Sequence, residues 1–545
     1  MTEDTQGKSG PLVVSGPMPL AKVRRPSFAV AVALMAVVLL AGCVRGESAA
    51  VEVPDDPGVV QTRSGALRGM VSADHRLFAG IPYAAPPVGA LRFAPPTPAP
   101  GWTGFRDATR PGPRCVQDVD TDVDKRETSE DCLTLNVWTP PPSGEPLPVL
   151  VWIHGGGFVN GSGDIYNARR LTGRGDVVVV TINYRLGALG FLAHPALGPA
   201  GDVGNYGLAD QQAALRWVRD NIAAFGGDPD KVTIAGESAG GMSVCDHLVA
   251  PDSEGLFSAA IIQSGPCAAQ YDLPAAEKTS ERYAAEAGCG DPAAAAACLR
   301  ALPSERLQAP VLYDRIGTEQ LSGPVTGTTT LPVDPLTGAA QGRAAKVPVL
   351  IGTTADEFNL FTALQFVRGR PVDAAHYPEL LDQAFGHNAV AVAQQYPPDR
   401  FGGSVPLAYS AAATDGLFAC VADRLADSLS SAEPVYSYVF ADAGAPAPEP
   451  LRAAPFPVGA GHSLELRYMF DVGGAPPPNP DQQRLSDEMI DYWTHFVATG
   501  SPGSDWPAYN DKNAGARMSL QPNGNRVITD FEQAHRCGFW SGLKD

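Results

Sequence analysis

The stretch KVTIAGESAGGMSVCDHLV, residues 231–249, joins a short run of β-branched and apolar residues to a pattern typical of a helix. Gly236 and Gly240 enclose Ser238, and glycines at these positions allow a strand to turn sharply into a helix. A serine in such a turn projects beyond the carboxyl edge of the sheet, where it can act as a nucleophile. Because Gly-x-Ser-x-Gly also occurs in ordinary loops, the strand 231–235 and the helix 241–249 predicted on either side decide the interpretation.

Outward from this stretch, short apolar runs alternate with helical patterns. Leu208, Leu215, Val218, Ile222 and Phe225 recur at helical spacing and predict one amphipathic helix over 208–225. Alternating strands and helices are typical of a mainly parallel sheet covered by helices, so we predict an α/β fold. The predicted strands are 149–153, 177–182, 231–235, 259–263, 348–352 and 435–440.

Three consecutive glycines follow the first of these strands, in the motif HGGGF at residues 154–158. Glycine adopts backbone conformations closed to other residues, so such a turn can direct several N–H groups into one concavity. The N–H groups of Gly156, Gly157 and Ala239 would then form an oxyanion hole. A flexible turn without chemistry is the alternative. A structural role is favoured for His154, which has no metal-ligand partner at suitable spacing.

Five stretches, in order along the chain, resemble those of the type-B carboxylesterases. They are FAGIPYAAPP (78–87), EDCLTLNVWTP (130–140), GNYGLAD (204–210), FGGDP (225–229) and ESAG (237–240). The resemblance implies the α/β-hydrolase fold, with a large mixed, mainly parallel central sheet, covering helices, and lid and gorge insertions. It is loose between residues 272 and 347, where no substrate-contacting residue is assigned.

The same resemblance supplies the partners of Ser238. The pattern GTTADE, residues 352–357, matches the family's acid loop and points to Glu357, with Asp356 as the neighbouring alternative. The pattern GAGHSLEL, residues 459–466, points to His462 as the base. The resulting order of serine, acid and histidine along the chain is the order expected for this fold.

A Ser-His-Glu triad implies a serine carboxylic-ester hydrolase that works through an acyl-enzyme, with an ester as substrate and no metal or organic cofactor. By resemblance, Glu465 and Ser264 would support the triad, although ordinary buried hydrogen bonding describes them equally well. An amidase, a peptidase or a polyester hydrolase could use the same triad. A surface adhesion protein that has lost catalysis is the alternative from another class.

Charge and composition exclude other classes of protein. The 545 residues include 40 Lys+Arg and 59 Asp+Glu, a formal charge of −19, so we expect no nucleic-acid partner. The 44% of hydrophobic residues can build a large core, which argues against disorder. The loop between Cys115 and Cys132 contains no aromatic ring to attract a choline cation. Its acidic run from Asp118 to Asp124 is interpreted as a solvated surface rather than a metal site.

The N-terminus predicts an exported lipoprotein. A basic segment precedes an apolar run at 28–40, which is shorter than the roughly 20 residues of a membrane-spanning helix. The run ends in Leu40-Ala41-Gly42-Cys43, which resembles a bacterial lipobox and implies lipidation of Cys43 at the outer surface of the cell membrane. A secreted protein with a plain signal peptide is the alternative. We predict a signal peptide over 1–43, a tether over 44–58 and a catalytic domain over 59–545.

The chain has nine cysteines, and assigning Cys43 to lipid leaves an even number suited to an oxidising compartment. Resemblance to the family implies three disulfides: Cys115 with Cys132, Cys289 with Cys298, and Cys420 with Cys537. The remaining two, Cys245 and Cys267, are candidates for a fourth pair.

Overall fold

The computed structural model describes residues 56–543, apart from 118–125, 200, 317–318 and 514. The predicted signal peptide, the lipidation site Cys43 and most of the predicted tether lie outside the described residues, as does the acidic run that begins at Asp118. The domain boundaries drawn at residues 43 and 58 therefore stay predictions.

Twenty strands occur within the described residues. They are β1 (Val59–Thr62), β2 (Gly65–Arg68), β3 (Met70–Val71), β4 (Arg76–Pro82), β5 (Phe105–Asp107), β6 (Arg114–Cys115), β7 (Thr128–Ser129), β8 (Thr134–Thr139), β9 (Leu147–Ile153), β10 (Val178–Ile182), β11 (Gly227–Glu237), β12 (Ala259–Gln263), β13 (Tyr271–Asp272), β14 (Asp314–Ile316), β15 (Glu319–Leu321), β16 (Val325–Thr326), β17 (Val349–Thr354), β18 (Val435–Phe440), β19 (Arg517–Leu520) and β20 (Arg526–Ile528). Eleven of them form one sheet in the order β20-β19-β18-β17-β12-β11-β9-β10-β8-β4-β3. From β19 to β10 the neighbours run parallel, whereas the strands at both ends are antiparallel. The sheet is therefore mixed and mainly parallel.

All six predicted strands lie in the parallel part of this sheet. β12 and β18 have the predicted bounds. β11 begins earlier than predicted, because Gly227 already pairs with Leu147 before a shift in register at Val232. β17 continues to Thr354, because its last residues still pair with β18.

The two faces of the sheet are buried in different cores. In β9, the side chains of Val149, Val151 and Ile153 belong to one hydrophobic cluster, and those of Leu150 and Trp152 belong to another. Neighbouring side chains of a strand point to opposite faces, so a strand covered on both sides is apolar throughout. This explains why the central strands read as continuous apolar runs.

Fifteen α-helices occur within the described residues. They are α1 (Arg169–Gly175), α2 (Gly187–Phe191), α3 (Tyr206–Asn221), α4 (Ala239–Val249), α5 (Leu273–Glu286), α6 (Ala295–Ala301), α7 (Pro335–Ala340), α8 (Glu357–Val367), α9 (Tyr377–Phe385), α10 (Ala389–Gln395), α11 (Val405–Thr414), α12 (Cys420–Ser430), α13 (Pro480–Thr499), α14 (Phe531–Ala534) and α15 (Cys537–Ser541). The helix predicted over 208–225 is α3 followed by a 3₁₀ turn, Ile222–Phe225, which ends at Gly226 in the left-handed region. The helix predicted over 241–249 begins two residues earlier, at Ala239.

Four disulfides are present among the described residues. Three are the pairs implied by the resemblance, and the fourth joins Cys245 to Cys267. One described helical run, Val405–Ser430, is long and apolar enough to cross a membrane, but 67% of its most apolar window is buried inside the fold. Burial of this kind is typical of a core helix.

Candidate active site

The predicted nucleophile occupies a strained turn between β11 and α4. Ser238 has φ 58° and ψ −123°, a conformation that is rare for residues other than glycine. Its N–H donates a 2.9 Å hydrogen bond to the carbonyl of Gln263, at the end of β12. A Cβ on Gly236 would collide with the backbone of Gly240, and one on Gly240 would collide with the carbonyl of Ile153. The glycines of the motif are therefore required by close backbone packing.

The glycine turn after β9 packs against this serine. Gly156 and Gly157 have φ 103° and φ 62°, which lie in the region that favours glycine. A Cβ on Gly155 would lie only 3.1 Å from the Cβ of Ser238. Within the described chain, no hydrogen bond uses the N–H of Gly156, Gly157 or Ala239. These three donors are free to bind an oxyanion beside Ser238.

The predicted acid and base contact each other. Nδ1 of His462 lies 2.6 Å from Oε2 of Glu357, the first residue of α8. Oε1 of Glu357 accepts a 2.8 Å hydrogen bond from the N–H of Thr354, which fixes the carboxylate. Both side chains are buried. A carboxylate in this position can orient an imidazole and stabilise its positive form.

The alternative acid, Asp356, has another partner. Its Oδ2 accepts a 2.9 Å hydrogen bond from the N–H of Ala460, in the loop that leads to His462. Asp356 therefore supports the loop of the base, and Glu357 is the carboxylate that contacts the imidazole.

A second carboxylate lies on the other side of the imidazole. Nε2 of His462 is 3.1 Å from Oε1 of Glu237, the residue before Ser238. Nε2 has no hydrogen-bond partner among the described residues, so Ser238 and His462 line the same cavity without a hydrogen bond between them. The Glu237 oxygen also accepts a hydrogen bond from the hydroxyl of Ser463. The hydrogen bonds of a triad often tighten only when substrate binds.

These carboxylates determine the protonation of the imidazole. Burial by itself would lower the pKa of His462, but the negative charges of Glu237 and Glu357 outweigh it and raise the pKa to about 9. Burial also raises the pKa of Glu237, and the neighbouring imidazolium opposes that shift. At neutral pH, the unliganded site therefore favours the protonated imidazole.

The predicted supporting residues lie behind the triad. Glu465 is buried, and its Oε1 lies 3.4 Å from the side-chain Nε2 of Gln263. The backbone carbonyl of Gln263 accepts the hydrogen bond from the N–H of Ser238. Burial, together with the charges of Glu237 and Glu357, raises the pKa of Glu465 well above its ordinary value. The N–H of Ser264 donates a 2.8 Å hydrogen bond to the carbonyl of Gly352, which ties β12 to β17.

A cavity of about 440 Å³ opens over these groups. Ser238, His462, Gly156, Gly157 and Ala239 all line it. Its apolar lining includes Met242, Pro266, Leu321, Leu360, Phe361, Leu364 and Phe418, and the charged residues Glu319 and Arg368 also line it. Cavities of this size and character are typical of small-molecule sites.

His154 has a structural role, as predicted. Its Nδ1 lies 2.8 Å from the carbonyl of Gly155, and its ring stacks on Tyr184 with 4.4 Å between ring centres. Burial lowers the pKa of His154 to about 4. The side chain therefore stays neutral and supports the glycine turn.

Sequence reasoning missed three residues near the imidazole. Glu237 directly precedes Ser238 in the nucleophile motif, so the sequence alone could have indicated a carboxylate close to the imidazole. Phe361 lies one helical turn after Glu357, so its position near the acid could also have been predicted from the sequence. Phe418 could not be inferred from the sequence, because it reaches the imidazole from a distant segment of the chain.

Comparison with known proteins agrees with this geometry. A model of the carboxylesterase family matches residues 56–540. The chain is 36% identical to the para-nitrobenzyl esterase of Bacillus subtilis (strain 168) over 83% of this chain and 93% of that protein. It is also 36% identical to the fumonisin B1 esterase of Sphingopyxis macrogoltabida, over 84% of this chain and 85% of that protein.

A solved structure of a thermophilic para-nitrobenzyl esterase is similar with a TM-score of 0.77 and 32% identity, over 89% of this chain and 100% of that chain. The likeness thus covers the whole fold and not only the motifs. The chain belongs to the carboxylesterase family, has the α/β-hydrolase fold and is a carboxylic-ester hydrolase.

Proposed function

We propose that this esterase acts through Ser238 as nucleophile, His462 as general base and Glu357 as the acid that orients it. The 2.6 Å contact between Glu357 and His462, beside a serine held in a strained turn, is the observation that carries the proposal. The hydroxyl of Ser238 attacks the ester carbonyl while Nε2 of His462 takes its proton. His462 then returns the proton to the departing alcohol.

The N–H groups of Gly156, Gly157 and Ala239 stabilise the oxyanion that forms during this attack. They lie at a glycine turn and at the first residue of α4, where backbone N–H groups have no partner inside the helix. Loss of one such donor typically costs about 3 kcal/mol of transition-state stabilisation. Water then attacks the acyl-enzyme by the same route and releases the carboxylic acid.

The cavity supports small esters with an apolar group as substrates. Its wall is lined by leucine and phenylalanine side chains from α8 and by Phe418. One relative is named for para-nitrobenzyl esters, and an aromatic alcohol of that size suits such a wall. We therefore propose short-chain acyl esters of aromatic or aliphatic alcohols.

Replacing Ser238 by alanine tests the mechanism. Hydrolysis of p-nitrophenyl butyrate should fall to the background rate in this variant, whereas its melting temperature should stay near that of the parent. A Ser238→Ala protein that hydrolyses the ester at the parent rate would refute the assignment. A series of acyl chain lengths, with an amide analogue as control, then separates an esterase from an amidase or a peptidase.

We also propose that the enzyme is a lipoprotein anchored through Cys43, with a tether over 44–58 and the catalytic domain over 59–545. The other eight cysteines all take part in the four disulfides, so Cys43 is the one left for lipid. Cells that express the parent should yield the enzyme in the detergent phase of a Triton X-114 extract. A Cys43→Ala protein should leave that phase, and equal partition of the two proteins would reject the anchor.

A further inference from the structure

One wall of the cavity comes from a helix that contains a π-helical turn. α11 passes through the turn Asp415–Ala419 directly into α12. Such turns are rare, and they occur frequently at functional sites. This turn contacts two different parts of the molecule with its two sides.

Phe418 lines the cavity of the candidate site, and Thr414 contacts the helix that carries Glu357. Oγ1 of Thr414 accepts a 3.0 Å hydrogen bond from the N–H of Phe358, the residue after Glu357. The ring of Phe418 is buried, and its centre lies 5.3 Å from that of the His462 imidazole. This side of the turn therefore contacts the segments that carry both the acid and the base.

Asp415 and Cys420 face the C-terminal segment instead. Oδ1 of Asp415 lies 2.6 Å from Nδ1 of His535, and Oδ2 lies 3.6 Å from Nη1 of Arg536. Cys420 forms the disulfide with Cys537. Both ends of the π-helical turn are thus attached to the three consecutive residues 535–537 of the C-terminal segment.

Two aromatic side chains complete this attachment. The hydroxyl of Tyr396 donates a 2.7 Å hydrogen bond to Asp415 and accepts one of 2.8 Å from the indole of Trp540. A Cβ on Gly416 would lie 2.6 Å from the ring of Trp540, so the turn and the C-terminal segment are in direct contact. Asp415 is only 4% exposed, so its carboxylate oxygens depend on these partners for their hydrogen bonds.

The π-helical geometry allows one short turn to face both ways. In an α-helix with 3.6 residues per turn, residues five apart point in directions about 140° apart. Hydrogen bonding from residue i to residue i+5 brings such residues to one side. Asp415 and Cys420 can therefore both face the C-terminal segment, while Thr414 and Phe418 face the site.

We propose that Asp415 is a positioning residue for His462. Asp415 holds the π-helical turn against residues 535–537, and the turn holds the ring of Phe418 against the imidazole. The imidazole then keeps the direction in which Nδ1 contacts Glu357 and Nε2 lies beside Glu237. This inference rests on the proposed function, because it takes His462 to be the base.

The same helix offers a matched control. Asp423 on α12 is also buried, and it accepts a hydrogen bond of 3.1 Å from the hydroxyl of Tyr509 and contacts Arg517. Asp423 does not line the cavity. Asp415→Asn and Asp423→Asn each replace one buried carboxylate of one continuous helix by an amide, but only the first lies in the π-helical turn that carries Phe418.

The test compares kcat, KM and the pH dependence of kcat/KM for p-nitrophenyl butyrate, together with the melting temperature. Asp415→Asn should lower kcat about tenfold, because small misplacements of a catalytic group are costly. It should also move the pH midpoint of kcat/KM. Asp423→Asn should lower the melting temperature but leave kcat within about twofold and the midpoint unchanged. Identical kinetics for the two variants would overturn the positioning role.

A second pair of variants covers the case in which Asp415→Asn does not fold. His535→Ala removes the donor to Asp415 and should reproduce the loss of kcat. His535→Asn offers a side-chain N–H near the position of Nδ1 and should restore most of it. Equal kcat in these two variants would count against the proposal.

Labelling with a fluorophosphonate separates the two levels of inference. A parent protein that does not react at Ser238 would reject the proposed mechanism and the positioning role with it. A parent that reacts, with Asp415→Asn and His535→Ala as active as the parent, would reject only the positioning role.

Discussion

Glu237 and His462 form a close contact in which the Oε1 of the carboxylate lies 3.1 Å from the Nε2 of the imidazole. On the other side of the ring, Oε2 of Glu357 lies 2.6 Å from Nδ1 of His462. The imidazole is therefore enclosed by two carboxylates, one at Nδ1 and one from the residue before Ser238. In the proposed mechanism, this arrangement would stabilise the imidazolium that forms when Ser238 is deprotonated, but it would also disfavour the neutral imidazole that must accept the proton.

The first prediction concerns the pH dependence of catalysis. Since only neutral His462 can act as the base, kcat/KM should rise with pH as the imidazole, whose pKa is raised to about 9, loses its proton. Glu237→Gln removes one of the charges that raise this pKa. The midpoint of the profile should therefore move to lower pH by roughly one unit, a change of about 1.4 kcal/mol.

The measurement is kcat/KM for p-nitrophenyl butyrate between pH 5 and 10. Asp442→Asn is the control, because Asp442 is a buried carboxylate bonded to Tyr468 and Gln482 rather than to the imidazole. A midpoint that is equal in the parent and in Glu237→Gln would show that Glu237 does not set the protonation of the base.

The second prediction concerns the oxyanion hole. Gly156 has φ 103°, and a Cβ there would collide with the backbone and side chain of Asn160, so Gly156→Ala must shift the turn. Displacement of one N–H donor should lower kcat by about a hundredfold while KM changes little. Gly144→Ala is a matched control, because Gly144 also has positive φ but nothing within 4 Å of its Cβ position. Comparable losses of kcat in both variants would attribute the effect to backbone strain instead.

The parts of the site that the sequence predicted share one property: each is defined by residues close together in the chain. Ser238 lies between a strand and a helix, and the glycine turn directly follows β9. Glu357 lies three residues after β17. Local turn chemistry and the parallel sheet are enough to bring Ser238 and the glycine turn to one edge, whereas Glu357 and His462 could be assigned only through the resemblance to the family.

The remaining parts depend on contacts between distant segments. The ring centre of Phe418 lies 5.3 Å from that of the His462 imidazole, and no spacing rule in the sequence brings these two segments together. The pair of Asp415 and His535 spans 120 residues. The two residues become neighbours through tertiary packing, which periodicity cannot predict.

The third prediction concerns a buried carboxyl group outside the cavity. Burial raises the pKa of Asp246 well above its ordinary value, and its Oδ1 accepts a 2.8 Å hydrogen bond from the side-chain amide of Gln270. Oδ2 of Asp246 and Oε1 of Gln270 have no hydrogen-bond partner within the described chain, so no donor there stabilises a negative charge on Oδ2.

An acid whose pKa is raised in the folded state stabilises the fold fully below its unfolded pKa, and this stability is lost as the pH rises through the folded pKa. Asp246→Asn keeps a neutral side chain at every pH. Compared with the parent, this variant should gain several degrees in melting temperature between pH 5 and pH 9. A difference from the parent that is the same at both pH values would exclude a titrating Asp246.

The fourth prediction concerns the disulfide between Cys245 and Cys267, which lies next to the site. Cys245 belongs to α4, which begins directly after Ser238, and Cys267 follows Pro266 in the cavity wall. Because both sulfurs belong to a disulfide, thiol reagents should label neither cysteine even after the protein is unfolded without a reductant. The double variant Cys245→Ala/Cys267→Ala should lose about 2–4 kcal/mol of stability. It should also raise KM, because the loop that carries Pro266 is no longer fixed to α4.

The double variant Cys289→Ala/Cys298→Ala is the control, because it removes a disulfide whose residues are absent from the cavity lining. It should lower stability without changing KM, and an equal rise of KM in both double variants would exclude a local effect of Cys245 and Cys267 on the cavity.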